Sequence, residues 1–133
     1  MNTPNCIVLP ECLPFKRVET RSIRYDGELL TVELQGEGFV WLRIVFRDSL
    51  GFRILDERDL SEFWSTYSEP NGWLYEVLQG GWMELELTRK WFSSPSMFKN
   101  LREYFLVGDK CISVLCQSPP EFESLGADPP KPA

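Results

Sequence analysis

Along residues 28–35 the chain sets Leu30, Val32 and Leu34 against Leu29, Thr31, Glu33 and Gln35. Successive side chains of a β-strand point to opposite faces, so this two-residue period predicts a strand with one core face and one mostly wet face. Tyr25-Asp26-Gly27-Glu28 precedes it, and Asp-Gly can supply the two positive φ angles of a type I′ turn. A hairpin is expected, with a first arm over residues 18–25. After the turn Gly36-Glu37-Gly38, residues 39–47 put Val40, Leu42, Ile44 and Phe46 on one face. Phe39, Trp41, Arg43, Val45 and Arg47 fall on the other, as in a central strand rich in β-branched and aromatic residues. Asp48-Ser49-Leu50-Gly51 then turns the chain into a short strand over residues 52–55.

The period changes next. Asp59 and Glu62 form a variant of the helix capping box, and Leu60, Phe63, Trp64 and Tyr67 recur behind it at helical spacing. One short helix is expected near 59–67, closed by the loop Glu69-Pro70-Asn71-Gly72. Residues 73–79 and 82–90 flank Gly80-Gly81 and read as a second hairpin. Its second arm alternates Met83, Leu85 and Leu87 with Trp82, Glu84, Glu86 and Thr88, while Leu74, Val77 and Leu78 in the first arm would also suit a helix face. A loop over 93–100 leads to two further strands, 101–107 and 111–116, joined around Gly108-Asp109. From Gln117 onward five of the ten prolines appear among acids, which reads as a tail ordered only if it lies on the domain or on a partner.

The pattern predicts a mainly β fold, with α+β as the alternative. A single antiparallel, strongly twisted sheet or a sandwich of about 7–8 strands carries one short helix. Residues 1–116 form one globular domain and residues 117–133 a Pro-rich tail. With 43% hydrophobic and 14% aromatic residues in 133, the chain has apolar material enough to offset its conformational entropy.

Charge sharpens this picture. The formal net charge of −6 argues against a nucleic-acid partner, because phosphate binding needs clustered Lys and Arg. Between Ile54 and Leu87 lie eight acids against one base, Arg58, a net −7 that exceeds the charge of the whole chain. The same stretch holds Phe63, Trp64, Tyr67, Trp73, Tyr75 and Trp82. Aromatic anchors among carboxylates suit an interface that steers and grips a basic protein partner. The candidate contact residues are Asp56, Glu57, Asp59, Glu62, Trp64, Trp73, Trp82, Glu84 and Glu86. The bland alternative is that the aromatics are core and the acids solvated.

Catalytic chemistry finds little purchase. Without any histidine, serine-His-acid triads, cysteine-His dyads and histidine metal sites are excluded. Glu84 and Glu86 on one strand face could pair as a glycosidase acid and base with Trp73 and Trp82 beside them, against a wet strand face as the plainer reading. No glycine-rich phosphate loop is complete. Arg43 and Arg47 beside Trp41 could hold a small anionic metabolite or peptide, or could simply be braced by cross-strand acids such as Glu33. Cys6, Cys12, Cys111 and Cys116 have the wrong spacing for a four-cysteine zinc site; idle thiols are expected, or a bridge between the two ends were the chain exported. The N-terminal residues lack a signal-peptide pattern and no run is long enough to span a bilayer. The expectation is a non-enzymatic cytoplasmic protein with no metal, cofactor or membrane partner.

One resemblance adds to this reading. The segment Tyr104-Phe105-Leu106-Val107-Gly108-Asp109-Lys110-Cys111-Ile112-Ser113-Val114-Leu115-Cys116, the following Ser118-Pro119-Pro120-Glu121, and the Gly80-Gly81-Trp82 turn resemble small acidic bacterial immunity proteins of polymorphic toxin systems. The resemblance covers about a third of the chain and implies a protein that binds and blocks a cognate toxin, often by occluding a basic active site. It assigns no individual residue.

Overall fold

The computed structural model describes residues 3–12, 14–68 and 71–130. The fold is mainly β. Nine strands among these residues form two antiparallel sheets, and the helices are short. The strands are β1 (Asn5–Val8), β2 (Val18–Tyr25), β3 (Leu30–Gly36), β4 (Trp41–Phe46), β5 (Ser49–Asp56), β6 (Leu74–Gln79), β7 (Arg102–Leu106), β8 (Lys110–Cys116) and β9 (Glu121–Gly126). One sheet runs β1-β6-β7-β8-β5 and the other β2-β3-β4-β9. The single-sheet alternative is therefore corrected to two sheets.

The sheets pack on each other through rings and aliphatic side chains. Tyr25 of β2 meets Phe52 of β5 at 5.3 Å between ring centroids, Phe46 of β4 meets Tyr104 of β7 at 6.1 Å, and Trp73 meets Phe122 of β9 at 6.3 Å. Between them lie Leu30, Val32, Leu34, Ile44, Leu74, Leu106, Ile112 and Val114, all buried in one core cluster. Each such fully buried Leu, Ile or Phe contributes about 1.5–3 kcal/mol relative to exposure. The alternations read from residues 30–34 and 42–46 are those of this inner face.

The chain changes sheets between β4 and β5. Asp48 makes the turn with φ 53°, a left-handed conformation that Asn and Asp tolerate better than most residues, and its carboxylate accepts a hydrogen bond from Ser118 Oγ at 3.0 Å. The loop before β3 is longer than a type I′ turn. Residues 26–29 separate the paired Tyr25 and Leu30; of these four only Gly27 has positive φ, and the Asp26 carboxylate accepts from the Glu28 and Leu29 N–H groups.

Two further expectations are corrected. No continuous helix covers 59–67. Two single 3-10 turns, Glu57–Asp59 and Ser61–Phe63, meet at Leu60, whose φ of −129° breaks the helical path. The cap is Asp56, accepting from the Arg58 N–H at 2.9 Å, not Asp59. Residues 82–90 are not a strand: Trp82–Glu86 is a short helix, α1, followed by α2 (Ser94–Met97) inside the expected 93–100 loop. Because β6 already lies between β1 and β7, no edge remains for a returning strand. Of the segment after Gln117, β9 lies on the domain beside β4, with Phe122 opposite Ile44, which is the condition under which that segment is expected to be ordered. Glu69, Pro70 and residues 131–133 lie outside the described residues.

Candidate functional site

The outward face of the five-stranded sheet gathers most of the residues singled out by charge and aromaticity. Tyr104 of β7 points inward to Phe46, so its neighbours Glu103 and Phe105 point outward. The register places Arg53, Ser113, Phe105 and Tyr75 in one row across the sheet, and Gly51, Leu115, Glu103 and Val77 in the next. Two segments cover this face, the 3-10 turns at one end and the α1-α2 segment at the other.

The first cover is fastened by aromatic rings. Phe63 lies 4.4 Å from Phe105 between centroids, and Trp64 stacks on Phe105 at 5.9 Å and 27°. Tyr67 meets Tyr75 edge-on, and its hydroxyl accepts the Cys6 N–H at 3.0 Å. The Trp64 indole N–H donates to the Glu57 carbonyl at 2.6 Å.

The second cover is fastened by a carboxylate. Glu103 is buried within the sheet, and its two oxygens accept the Trp82 and Met83 N–H groups, both at 2.8 Å. These are donors that the first turn of a helix leaves without partners. Glu84 completes the cap by accepting the Gly80 N–H at 2.9 Å. Close approach requires Gly81: a Cβ there would sit 2.5 Å from Glu103 Oε2 and 2.7 Å from Val77 Cγ1. Burial pushes the Glu103 pKa up, opposed by the two backbone hydrogen bonds and by the charge of Arg53.

Arg53 lies between the covers. Its guanidinium carbon is 5.4 Å from the Trp82 ring centroid, and its pKa is lowered by burial against the opposing charges of Glu103, Glu62 and Glu86. Acids from both covers thus act on one half-buried cation in the sheet beneath them.

The nine candidate contact residues divide as follows. Glu57, Asp59 and Glu62 are exposed on the 3-10 turns, and Trp64 is half-buried beside them. Asp56 is tied to Arg58, Nε to Oδ1 at 2.9 Å, which with its backbone bond to Arg58 holds its pKa down to about 2. Trp82, Glu84 and Glu86 belong to α1, where Glu86 accepts from the Trp82 indole at 3.2 Å and from Arg89 Nε at 2.7 Å. Trp73 is removed from the site: it is fully buried in the core, its indole N–H donating to the Cys12 carbonyl at 2.9 Å.

Glu84 and Glu86 do not form the strand-face pair expected of a glycosidase, because they sit on a helix and turn to separate partners. Nor are the strand-face arginines open: Arg43 contacts Glu33 and Glu123, both at 3.2 Å, and Arg47 pairs with Glu121. All four cysteines are free thiols, and burial raises the Cys6 and Cys116 pKa values to about 12. Among the described residues no group of three or more metal-ligating side chains converges, and no helix is long and apolar enough to cross a membrane.

Sequence reasoning missed Glu103, Arg53 and Trp91. An acid one residue before the apolar run 104–107 was the available signal for Glu103. Trp91, 77% exposed on the same covering segment as the exposed Leu85 and Leu87, follows Arg89-Lys90 and is the most exposed of the large hydrophobic residues among those described.

A shallow cavity of about 470 Å³ opens beside the first cover, lined by Glu57, Arg58, Ser61, Trp64, Ser68 and Val107. No family model, no curated protein and no solved structure matches the chain.

Proposed function

We propose that the chain is a non-enzymatic, cytoplasmic protein-binding domain that grips a basic protein partner with the covered face of its five-stranded sheet. The observation that carries this reading is the set of exposed carboxylates Glu57, Asp59 and Glu62 on the two turns that lead into the half-buried Trp64, with a cavity that Glu57 and Trp64 line. Carboxylates placed around an aromatic anchor accelerate encounter with a cationic surface and then hold it by burial. The exposed Leu85, Leu87 and Trp91 of the second cover extend the apolar contact.

The resemblance to immunity proteins fits this arrangement, and the specific function proposed is neutralisation of a cognate bacterial toxin by stoichiometric binding. The proposal expects a large toxin-like protein to be encoded directly upstream of the gene, and the test is a titration of the full chain, by calorimetry, with the purified C-terminal domain of that protein. A one-to-one complex together with loss of that domain's toxicity supports the proposal. Absence of binding at low ionic strength overturns it.

A further inference from the structure

We infer that the cavity beside Trp64 is a socket for an arginine side chain of the protein partner, an inference that rests on the protein-binding reading above. The wall of the cavity is a tryptophan held in place on two sides. Its ring packs on Phe105 and Phe63, and its indole N–H is fixed by the Glu57 carbonyl. A ring already ordered in the free protein loses little side-chain entropy when a ligand stacks on it.

Acceptor-bearing residues share the cavity with that ring: Glu57, Ser61 and Ser68 line it, with Val107 as the apolar part of the lining. The cation on the wall, Arg58, is turned to Asp56 through Nε at 2.9 Å and Nη2 at 3.3 Å, so its charge is largely cancelled there. With Arg58 paired to Asp56, the exposed Glu57, Asp59 and Glu62 leave the two turns net negative.

This chemistry selects one kind of occupant. An apolar side chain would cover the Glu57 carboxylate and two serines without giving them donors, which costs free energy. An anion meets two turns of net negative charge. A guanidinium brings positive charge, a flat face for the indole and five N–H donors in a fixed plane for the acceptors that share the cavity. A lysine ammonium matches the charge but neither the flat face nor the set of acceptors.

The test uses the ¹⁵N-labelled full chain and the indole N–H signals of its five tryptophans, with Trp64 assigned through Trp64→Phe. The probes are the capped tripeptide Ac-Gly-Arg-Gly-NH₂, its isosteric neutral citrulline analogue and its lysine analogue. The arginine peptide is expected to shift the Trp64 signal saturably, with the citrulline and lysine peptides each binding about tenfold or more weakly, and Glu57→Gln weakening the arginine peptide by about tenfold. No saturable shift at Trp64, or equal binding of either analogue, overturns the socket. If the socket fails while reversing the charges of Glu57, Asp59 and Glu62 still slows association with the protein partner, the protein-binding reading stands without it. If both fail, the reading of this face falls as well.

Discussion

The two sheets of this protein turn the same kind of surface, an outward face carrying charge, into opposite things. On the four-stranded sheet the charges satisfy one another across the strands: Arg24 and Arg43 both reach Glu33, Arg43 continues to Glu123, and Arg47 pairs with Glu121. Glu33 is buried at 5% exposure among these partners. On the five-stranded sheet the buried carboxylate, Glu103, has backbone N–H groups for partners and holds a cover in place. The first face pairs its central charges with one another. The second leaves Glu57, Asp59 and Glu62 of its covers exposed, and the proposed binding role rests on that difference.

Breaking the anchor of the second face gives the largest expected effect. Glu103→Ala orphans two part-buried N–H groups and removes the strongest of the three counter-charges acting on Arg53, leaving Glu62 and Glu86; we expect a loss of about 2–4 kcal/mol in urea unfolding. Glu103→Gln keeps one acceptor oxygen and is expected to cost far less. The pair also differs in pH dependence. A carboxylate whose folded pKa is raised contributes stability that is full below its unfolded value, 4.5, and declines as pH rises through the folded value. The melting temperature of Glu103→Gln is therefore expected to vary less than that of the parent chain above pH 4.5.

Gly81→Ala attacks the same anchor from the other side by forcing a methyl group between Glu103 and Val77. A loss of about 1–3 kcal/mol is expected by the same measurement, with faster amide exchange at Trp82 and Met83. On the four-stranded sheet Glu33→Ala is expected to cost about 1–2 kcal/mol, since Arg43 keeps Glu123 and Arg24 remains partly solvated. A larger loss there than at Glu103 would invert the comparison.

The smallest effect is expected at Asp56. Its folded pKa is depressed from 3.8 to about 2, so its contribution is present above 3.8 and is lost as pH falls through about 2. Asp56→Asn lacks the contribution that the parent chain holds above 3.8, so it should flatten the acid limb of the stability profile in that window and be slightly less stable than the parent at neutral pH, the loss kept small because its partner Arg58 is exposed.

What the sequence made legible follows the range of the interactions involved. The strands at 30–36 and 41–46 are read from their own two-residue period, whereas 18–25 is read as the first arm of the Asp26-Gly27 hairpin and 111–116 as an apolar run after Gly108-Asp109 that the fold buries on both faces. The period over 82–90 is equally regular, yet those residues begin as a helix, because strand formation needs a free edge and β6 has none. That depends on β1, whose four residues show no pattern of their own. β9 is likewise hidden, a short acidic segment among prolines that becomes a strand only through its register with β4.

The site divides in the same way. Charge density located the cover, and Glu57, Asp59, Glu62, Trp64, Trp82, Glu84 and Glu86 all lie on it. Density alone could not separate Trp73 from the other tryptophans, because burial against Phe122 and Cys12 is decided by segments 49 residues downstream and 61 upstream in the chain. Glu103 and Arg53 escaped for a related reason, since their role exists only once β5, β7 and α1 meet.

The central claim, that the covered face and not the ion-paired face binds a basic partner, is tested most directly by association kinetics with the upstream-encoded domain at low salt. Glu57→Lys, Asp59→Lys and Glu62→Lys combined leave the Asp56 cap intact and are compared with Glu19→Lys and Glu123→Lys on the other face. The account predicts that the triple variant slows association by about tenfold or more, with a weaker salt dependence, while the double variant associates like the parent chain. Equal rates for parent and triple variant, or slowing confined to the double variant, would contradict it.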